Sequence, residues 1–383
     1  AGRLLGFGYR FVLYLAMTTL FVYIYNARRQ ITVRTIGGVL TGYWLIAVVG
    51  GYVGVLFPLF SITTPLAYVL PDALTSNELV SEMVYRRVTQ YNPDSFLALD
   101  PRPSAPFLYT NSWGNAYSLL LPIVVAYLVE IRGTRRFWWL LAAIPLSFVP
   151  AFLTLNRGMF LGLGIAAVYI ALRLLFRGDL RALGGLAVLG VAVAVALQVL
   201  PVAERLTQRV ETSSSTEDRA NLYQEAVERT LQSPLLGYGA PRPSETPGAP
   251  SVGTQGHFWT VLFSHGFPGA ALFVLFLVVL LVRTWRSPGL FGLAANTACL
   301  VILVEIFYYG VLTSGIPTLF AITAAVLAAR DEEARSGPQL AASSFGTSRT
   351  GASRRGRTTA RAGRTTDQAG TSSVTRVPGP MRA

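Results

Sequence analysis

Gly269-Ala270-Ala271-Leu272-Phe273-Val274-Leu275-Phe276-Leu277-Val278-Val279-Leu280-Leu281-Val282 holds no charged and no hydrogen-bonding side chain, and Arg283 follows it. With the residues before it, the apolar segment runs from Phe258 to Val282, which satisfies the roughly 20 residues a helix needs to cross a bilayer. Strands of a membrane barrel would alternate apolar and polar positions, and this run does not. The stretch therefore reads as a membrane helix, with a break at Gly266-Phe267-Pro268-Gly269 that sets off His257 to His265 as a short helix of its own.

Working outward, eight more such segments recur between polar breaks: Phe7 to Tyr25, Ile36 to Phe57, Trp113 to Val129, Phe137 to Leu155, Gly158 to Phe176, Leu183 to Leu200, Phe291 to Tyr309 and Thr313 to Ala329. Composition agrees, since 52% of residues are hydrophobic and 13% charged, against about a quarter charged in a soluble domain. The expected fold class is all-α, a polytopic α-helical integral membrane protein whose membrane domain covers residues 1–329. The chain begins at Ala1 with no charged, apolar and cleavable order, so it reads as a fragment or a processed form. Cys299 is the single cysteine and lies inside an apolar run, which leaves no disulfide within one chain.

Net charge is +13, every basic residue is arginine, and ten arginines fall between Arg330 and Arg382. A basic chain can bind nucleic acid, but arginines retained in cytoplasmic loops give a membrane protein the same excess. Here Arg28, Arg29 and Arg34 follow the first segment, Arg132, Arg135 and Arg136 the third, Arg173, Arg177 and Arg181 the fifth, and Arg283 and Arg286 the seventh. Alternate connections are thus basic, so membrane lipids are expected as partners and nucleic acid is not. The alternation places connections 58–112 and 201–256, Asn156-Arg157 and Gly310 on the extracytoplasmic side. Arg3 and Arg10 run against it. From Asp331 the chain turns to Ser, Thr, Gly, Ala and Arg, a composition that cannot bury a core, and residues 330–383 are expected to form a disordered basic cytoplasmic tail.

Thr75-Ser76-Asn77-Glu78 reads as a capping box ahead of Leu79, Val80, Met83, Val84 and Val88 at helical spacing, predicting an amphipathic helix on the membrane face. In the second large connection, Ser213 to Thr216 precede a helix expected from Glu217 to Gln232. Its acidic first turn suits the positive helix end, and its apolar stripe is expected to be Ala220, Tyr223, Val227 and Leu231.

Four residues are candidates for chemistry. Arg157 sits in the tight hairpin Thr154-Leu155-Asn156-Arg157-Gly158; it either snorkels to lipid headgroups or, against the positive-inside bias, serves function. Arg219 lies in the first turn of the expected loop helix. His257 can exchange a proton near neutral pH, whereas arginine keeps its charge and grips phosphate through a planar fork. Glu305, near the end of the eighth segment, is read either as a partner of an arginine such as Arg157 or as a proton acceptor or sugar contact. His257 and His265 lie eight residues apart, a helical rise of about 12 Å, and no His-x3-His spacing is present, so no metal and no cofactor are expected. Arginine and histidine together point to phosphate-linked group transfer.

The order Leu153-Thr154-Leu155-Asn156-Arg157-Gly158, then Asp218-Arg219 with Tyr223, then Pro234-Leu235-Leu236-Gly237-Tyr238-Gly239, then His257 with Gly266 and Gly269, resembles the O-antigen ligase and O-antigen polymerase superfamily. The likeness runs from about Phe107 to Val282. It implies a GT-C type membrane glycosyltransferase of the bacterial cytoplasmic membrane, with its active face extracytoplasmic. Such an enzyme moves a glycan from an undecaprenyl pyrophosphate carrier to a glycan, lipid or protein acceptor without a metal. On this resemblance Arg157 and Arg219 hold the carrier's phosphates and His257 acts at the acceptor. The chain departs from the family in Phe258, where asparagine commonly follows the histidine, in Tyr223, where tryptophan is frequent, and in having fewer spans.

Two rival readings are a transporter or flippase of lipid-linked glycans, whose inverted repeats of broken helices are not evident, and a structural partner in a cell-envelope assembly. The topology has a direct check. Cysteines introduced at Thr75 or Ser214 should react with a membrane-impermeant thiol reagent applied to intact cells, and one at Ser344 should not; labelling at Ser344 reverses the orientation.

Overall fold

A computed structural model of the chain describes residues 2–76, 78–90, 101–178, 184, 215–246 and 249–347. Helix α1 (Gly2–Asn26) and α2 (Val33–Leu56) come first, the latter capped by the Thr32 hydroxyl, which accepts from the Thr35 N–H at 3.1 Å. A short polar-side region follows: β1 (Ser61–Thr63), α3 (Asp72–Thr75), α4 (Glu78–Val84), β2 (Tyr85–Arg87), β3 (Thr89–Gln90) and β4 (Arg102–Pro103). Helices α5 (Thr110–Glu130), α6 (Arg135–Leu153), α7 (Arg157–Leu175), α8 (Ser215–Gln232), α9 (His257–Thr284), α10 (Gly289–Glu305) and α11 (Gly315–Thr347) complete the described chain. Ala1–Ala334 form one compact unit and Arg335–Ala383 a second.

The chain is a mostly helical, multi-pass membrane protein. Among the described residues six helices are long and apolar enough to span a bilayer: Gly6–Asn26, Val33–Leu56, Thr110–Glu130, Arg135–Leu153, Arg157–Leu175 and His257–Thr284. Each coincides with a segment expected from the sequence. The segment expected at Phe291 to Tyr309 is the shorter apolar helix α10, which stops at Glu305 because the Glu305 carbonyl accepts from both the Tyr308 and Tyr309 N–H groups and tightens the chain into a turn. The helix expected to end at Ala329 continues as α11 to Thr347. The expected segment Leu183 to Leu200 lies outside the described residues.

The first connection departs from expectation. Helix α4 ends at Val84, and Tyr85–Arg87 pair antiparallel with Ser61–Thr63 instead of continuing an amphipathic helix. Val84 and Val88 are buried against the bundle, so tertiary packing overrides the helical spacing of the apolar residues.

Helix α5 is the centre of the bundle, buried along nearly its whole length between α2, α7 and α10. Trp113 donates through Nε1 to the Ala47 carbonyl of α2 at 2.8 Å and stacks on Tyr117, whose hydroxyl lies 2.6 Å from Ser147 Oγ on α6. Lipid tails are as apolar as leucine, so polar bonds and close packing rather than water exclusion hold such helices together. The Glu305 carboxyl, fully buried at the end of α10, accepts from Asn115 Nδ2 at 2.5 Å and Ser118 Oγ at 2.6 Å on α5, and Ser314 donates to Asn115 Oδ1 at 2.7 Å. Gly162 of α7 packs directly on this carboxyl, and a Cβ there would collide with Glu305 Oε1. Gly162→Ala should therefore destabilise the bundle by about 1–3 kcal/mol, the usual range for overpacking. Thermal unfolding in detergent checks this, and an unchanged midpoint would show that the carboxyl has room to move.

Candidate functional site

The turn after α10 fixes two of the candidate residues. Tyr309 O accepts the His257 N–H at 2.8 Å, Ile306 O accepts the Phe258 N–H at 2.9 Å, and Phe307 O accepts Trp259 Nε1 at 2.9 Å. The Tyr309 and Ile306 carbonyls satisfy backbone N–H groups that the first turn of any helix leaves open, and the Phe307 carbonyl holds the Trp259 indole. The Tyr309 hydroxyl donates to Asn156 Oδ1, while Asn156 caps α7, accepting from the Met159 N–H, and donates to the Thr110 carbonyl at 3.1 Å. The tight hairpin puts Leu155 in the left-handed region at φ 50°. That costs a non-glycine residue about 1–2 kcal/mol, and burial of Leu155 against Phe152 and Phe160 offsets it. Arg157 begins α7 directly after this cap.

The loop helix α8 packs on α9 through Leu222, Ala226 and Phe263. The expected stripe of Ala220, Tyr223, Val227 and Leu231 is rotated by one position: Leu222, Ala226 and Thr230 are buried, Ala220 is exposed and Leu231 is 62% exposed. The reason is the partner surface, because Tyr223 stacks on Trp259 with ring centroids 4.4 Å apart and turns the helix. Arg219 stands at i−3 and i−7 from Leu222 and Ala226, on the same inward face.

Helix α9 is broken as the sequence implied, with Gly266 at φ 68° and ψ −173°. Pro268 has no N–H for the Ser264 carbonyl, and Phe267 donates elsewhere, to Pro234 O at 2.9 Å. The freed Phe263 and Ser264 carbonyls accept the Tyr238 and Gly239 N–H groups at 2.9 and 2.8 Å. Pro234-Leu235-Leu236-Gly237-Tyr238-Gly239 is therefore a plug for the break. Gly237, at φ 63°, has Phe263 O 2.6 Å from where a Cβ would sit, so only glycine fits.

Above the break is a cavity of about 1090 Å³. Arg219, His257 and His265 line it, together with Arg10, Arg86 and Arg102, and among the described residues no aspartate or glutamate lines it. Arg86 donates to Pro106 O at 2.6 Å and Arg102 to Gln90 Oε1 at 3.2 Å, bonds that hold the short strands over the cavity. Ser264 Oγ, also in the lining, is buried without a hydrogen-bond partner among the described residues. His257 is 4% exposed, with Tyr14 Oη 3.1 Å from its Nε2 and Phe273 edge-on to its ring.

The structure thus brings Arg219 and His257 to one cavity and leaves two candidates outside its lining. Arg157 is exposed at the start of α7. Glu305 is fully buried, and among the described residues Asn115 and Ser118 donate to its carboxyl and no arginine pairs with it. Sequence reasoning missed Arg10, Tyr14, Arg86 and Arg102. One signal was present, since Arg10 violated the charge alternation, and its place in the cavity wall supplies the reason.

This segment has a match among known families. Residues 142–274 match the O-Antigen ligase family. The match supports the O-antigen ligase and polymerase superfamily read from the motifs, and with it a glycosyltransferase of the ligase or polymerase type. It is narrower than the stretch carrying the resemblance; it contains Arg157, Arg219 and His257 and excludes Glu305. A search of curated proteins finds no match. The matched segment includes α8, the plug and the first part of α9, and Arg10, Tyr14, Arg86 and Arg102 come from outside it.

The loop that follows the plug is tied to α8 through Glu225 and Arg229. Arg229 Nη1 lies 2.9 Å from Glu225 Oε1, both side chains are largely buried, and Ser244 Oγ and the Glu245 N–H donate to Glu225 at 2.5 and 3.0 Å. Burial alone would raise the Glu225 carboxyl, but the hydrogen bonds from Ser244, the Glu245 N–H and Arg229 outweigh it and hold it below its ordinary range. A carboxylate held low contributes stability that is complete above its unfolded value of about 4.3 and is lost as pH falls through the depressed folded value. Amide exchange at Glu245 should therefore accelerate as pH drops below about 4 relative to its intrinsic rate, and Glu225→Gln should exchange fast already at neutral pH. Equal protection in that variant would mean the carboxylate does not hold the loop.

Proposed function

We propose that the chain transfers a glycan from an undecaprenyl (pyro)phosphate carrier to an acceptor hydroxyl at the extracytoplasmic face of the bacterial cytoplasmic membrane, without a metal ion. The observation that carries this reading is the cavity shared by Arg219, His257 and three further arginines, with no carboxylate among the described residues of its lining.

Displacing a sugar from a lipid pyrophosphate leaves negative charge on the departing phosphate, and preorganised positive donors stabilise that charge as it develops. Arg219 is the carrier's phosphate ligand, through charge-assisted bonds that fit two oxygens at once. Arg157, held by the Asn156 cap, adds a second contact to the carrier from outside the cavity lining. A divalent cation would need acidic ligands, and among the described residues no three His, Cys, Asp or Glu side chains come together. His257 accepts the proton that the acceptor hydroxyl loses. The acceptor is a glycan, lipid or protein hydroxyl, and membrane lipids surround the site.

The test is glycan transfer by the purified protein in lipid with chelator present. Arg219→Lys should be damaging although it keeps the charge, because an ammonium lacks the planar fork. His257→Ala should lower turnover by about 100- to 10,000-fold with carrier binding nearly unchanged. Wild-type turnover by His257→Ala removes the proposed base, and abolition by chelator replaces the arginine mechanism with a metal one.

A further inference from the structure

Arg10, Tyr14, Met17, Phe21 and Ile24 recur along α1 at the four- and three-residue spacing of a single helix face. The later part of that face is pinned to α11: Phe21 meets Phe320 edge-on with centroids 5.4 Å apart, and the neighbouring Tyr25 donates to Asp331 Oδ2 at 2.6 Å. The earlier part projects Arg10 and Tyr14 into the cavity wall. There Tyr14 Oη lies 3.1 Å from His257 Nε2.

That contact poses a problem for a base. His257 is 4% exposed, Phe273 closes one side of its ring, and the phenol takes Nε2. A general base must lie within hydrogen-bond reach of the proton it takes or be linked to it through one intervening group. Tyr14 is such a group, because a phenol both donates and accepts.

We propose that Tyr14 stands between His257 and the acceptor and passes the proton from one to the other. This rests on the reading of His257 as the base. As the acceptor oxygen bonds to the anomeric carbon, the bond from that carbon to the carrier's phosphate oxygen breaks and its electron pair leaves with the phosphate. The acceptor's proton moves to Tyr14 Oη while the phenol's own proton moves to His257 Nε2, so Tyr14 ends unchanged and the imidazole holds the proton. Helix α1, outside the O-antigen ligase segment, is then part of the catalytic centre.

Tyr14→Phe keeps the ring and removes only the oxygen. It is compared with His257→Ala, with the double variant and with Tyr23→Phe, whose ring is exposed on another face of α1. The substrate is the lipid-linked glycan that accumulates in cells deleted for the chain, supplied to purified protein in lipid vesicles. Tyr14→Phe should lower kcat by about 100-fold or more, the lower end for general-base catalysis. KM for the lipid-linked glycan should stay within about two-fold, because a group acting in the transition state leaves ground-state binding intact. The double variant should be no slower than His257→Ala, because the two groups act as one unit, and Tyr23→Phe should match wild type. A packing role would instead lower the unfolding temperature and multiply the losses in the double variant. Either that multiplication or wild-type kcat in Tyr14→Phe beside an impaired His257→Ala overturns the relay and leaves His257 as base. Wild-type turnover in His257→Ala overturns the reading beneath it.

Discussion

The Glu305 carboxyl, enclosed by Asn115 and Ser118, sets the register of α10 against α5. Leaving either group unpaired in a water-free interior costs more than the bond itself gains, so the pairing acts as a geometric constraint. The consequences run outward from it. Where α10 ends, the Ile306–Tyr309 turn begins, and its carbonyls hold the first N–H groups of α9 while the Tyr309 hydroxyl holds Asn156 ahead of α7. Arg157 and His257, a hundred residues apart in the chain, are carried by helix starts that share this anchor. Glu305 is thus part of the frame on which Arg157 and His257 stand.

A second constraint comes from backbone chemistry. Gly266 and Pro268 interrupt α9 and leave carbonyls without donors, which is costly inside a bilayer. The Pro234 to Gly239 turn provides the missing N–H groups, so the motif and the break complete each other although they are apart in the sequence. Because α8 leads into that turn, the same bonds fix the height of Arg219 beside His257. Tyr223 stacked on Trp259 does for this chain what a larger aromatic would do at that place: it sets the rotation of α8.

The cavity gathers arginines from α1, the short strands and α8, with no carboxylate among the described residues that line it. Four like charges around one space repel, and an anionic ligand relieves that repulsion, so the arrangement favours phosphate over a neutral occupant. Histidine in the same wall adds a group able to take a proton, and the phenol of Tyr14 covers it.

Membrane class and most helix positions were legible in the sequence, which also put Arg219 and His257 forward as candidates; the structure adds that both line one cavity. Segment length and hydropathy are local properties, and a break at Gly266 to Gly269 is written in residues that cannot continue a helix. The rotation of α8 was not legible, because which of two overlapping stripes turns inward depends on Trp259 and Phe263 of another helix. Nor was the end of α4, where Tyr85 to Arg87 gain a strand partner 24 residues earlier in the chain. Glu305 carried the signal of an intramembrane acid but not its meaning, since one sequence pattern serves both a ligand and a buried anchor until its neighbours are known. Arg10 and Tyr14 stood on a recognisable helix face, yet only the docking of α1 against α11 and α9 decided that this face meets His257: residue chemistry is set by sequence, but proximity across 243 positions is set by packing.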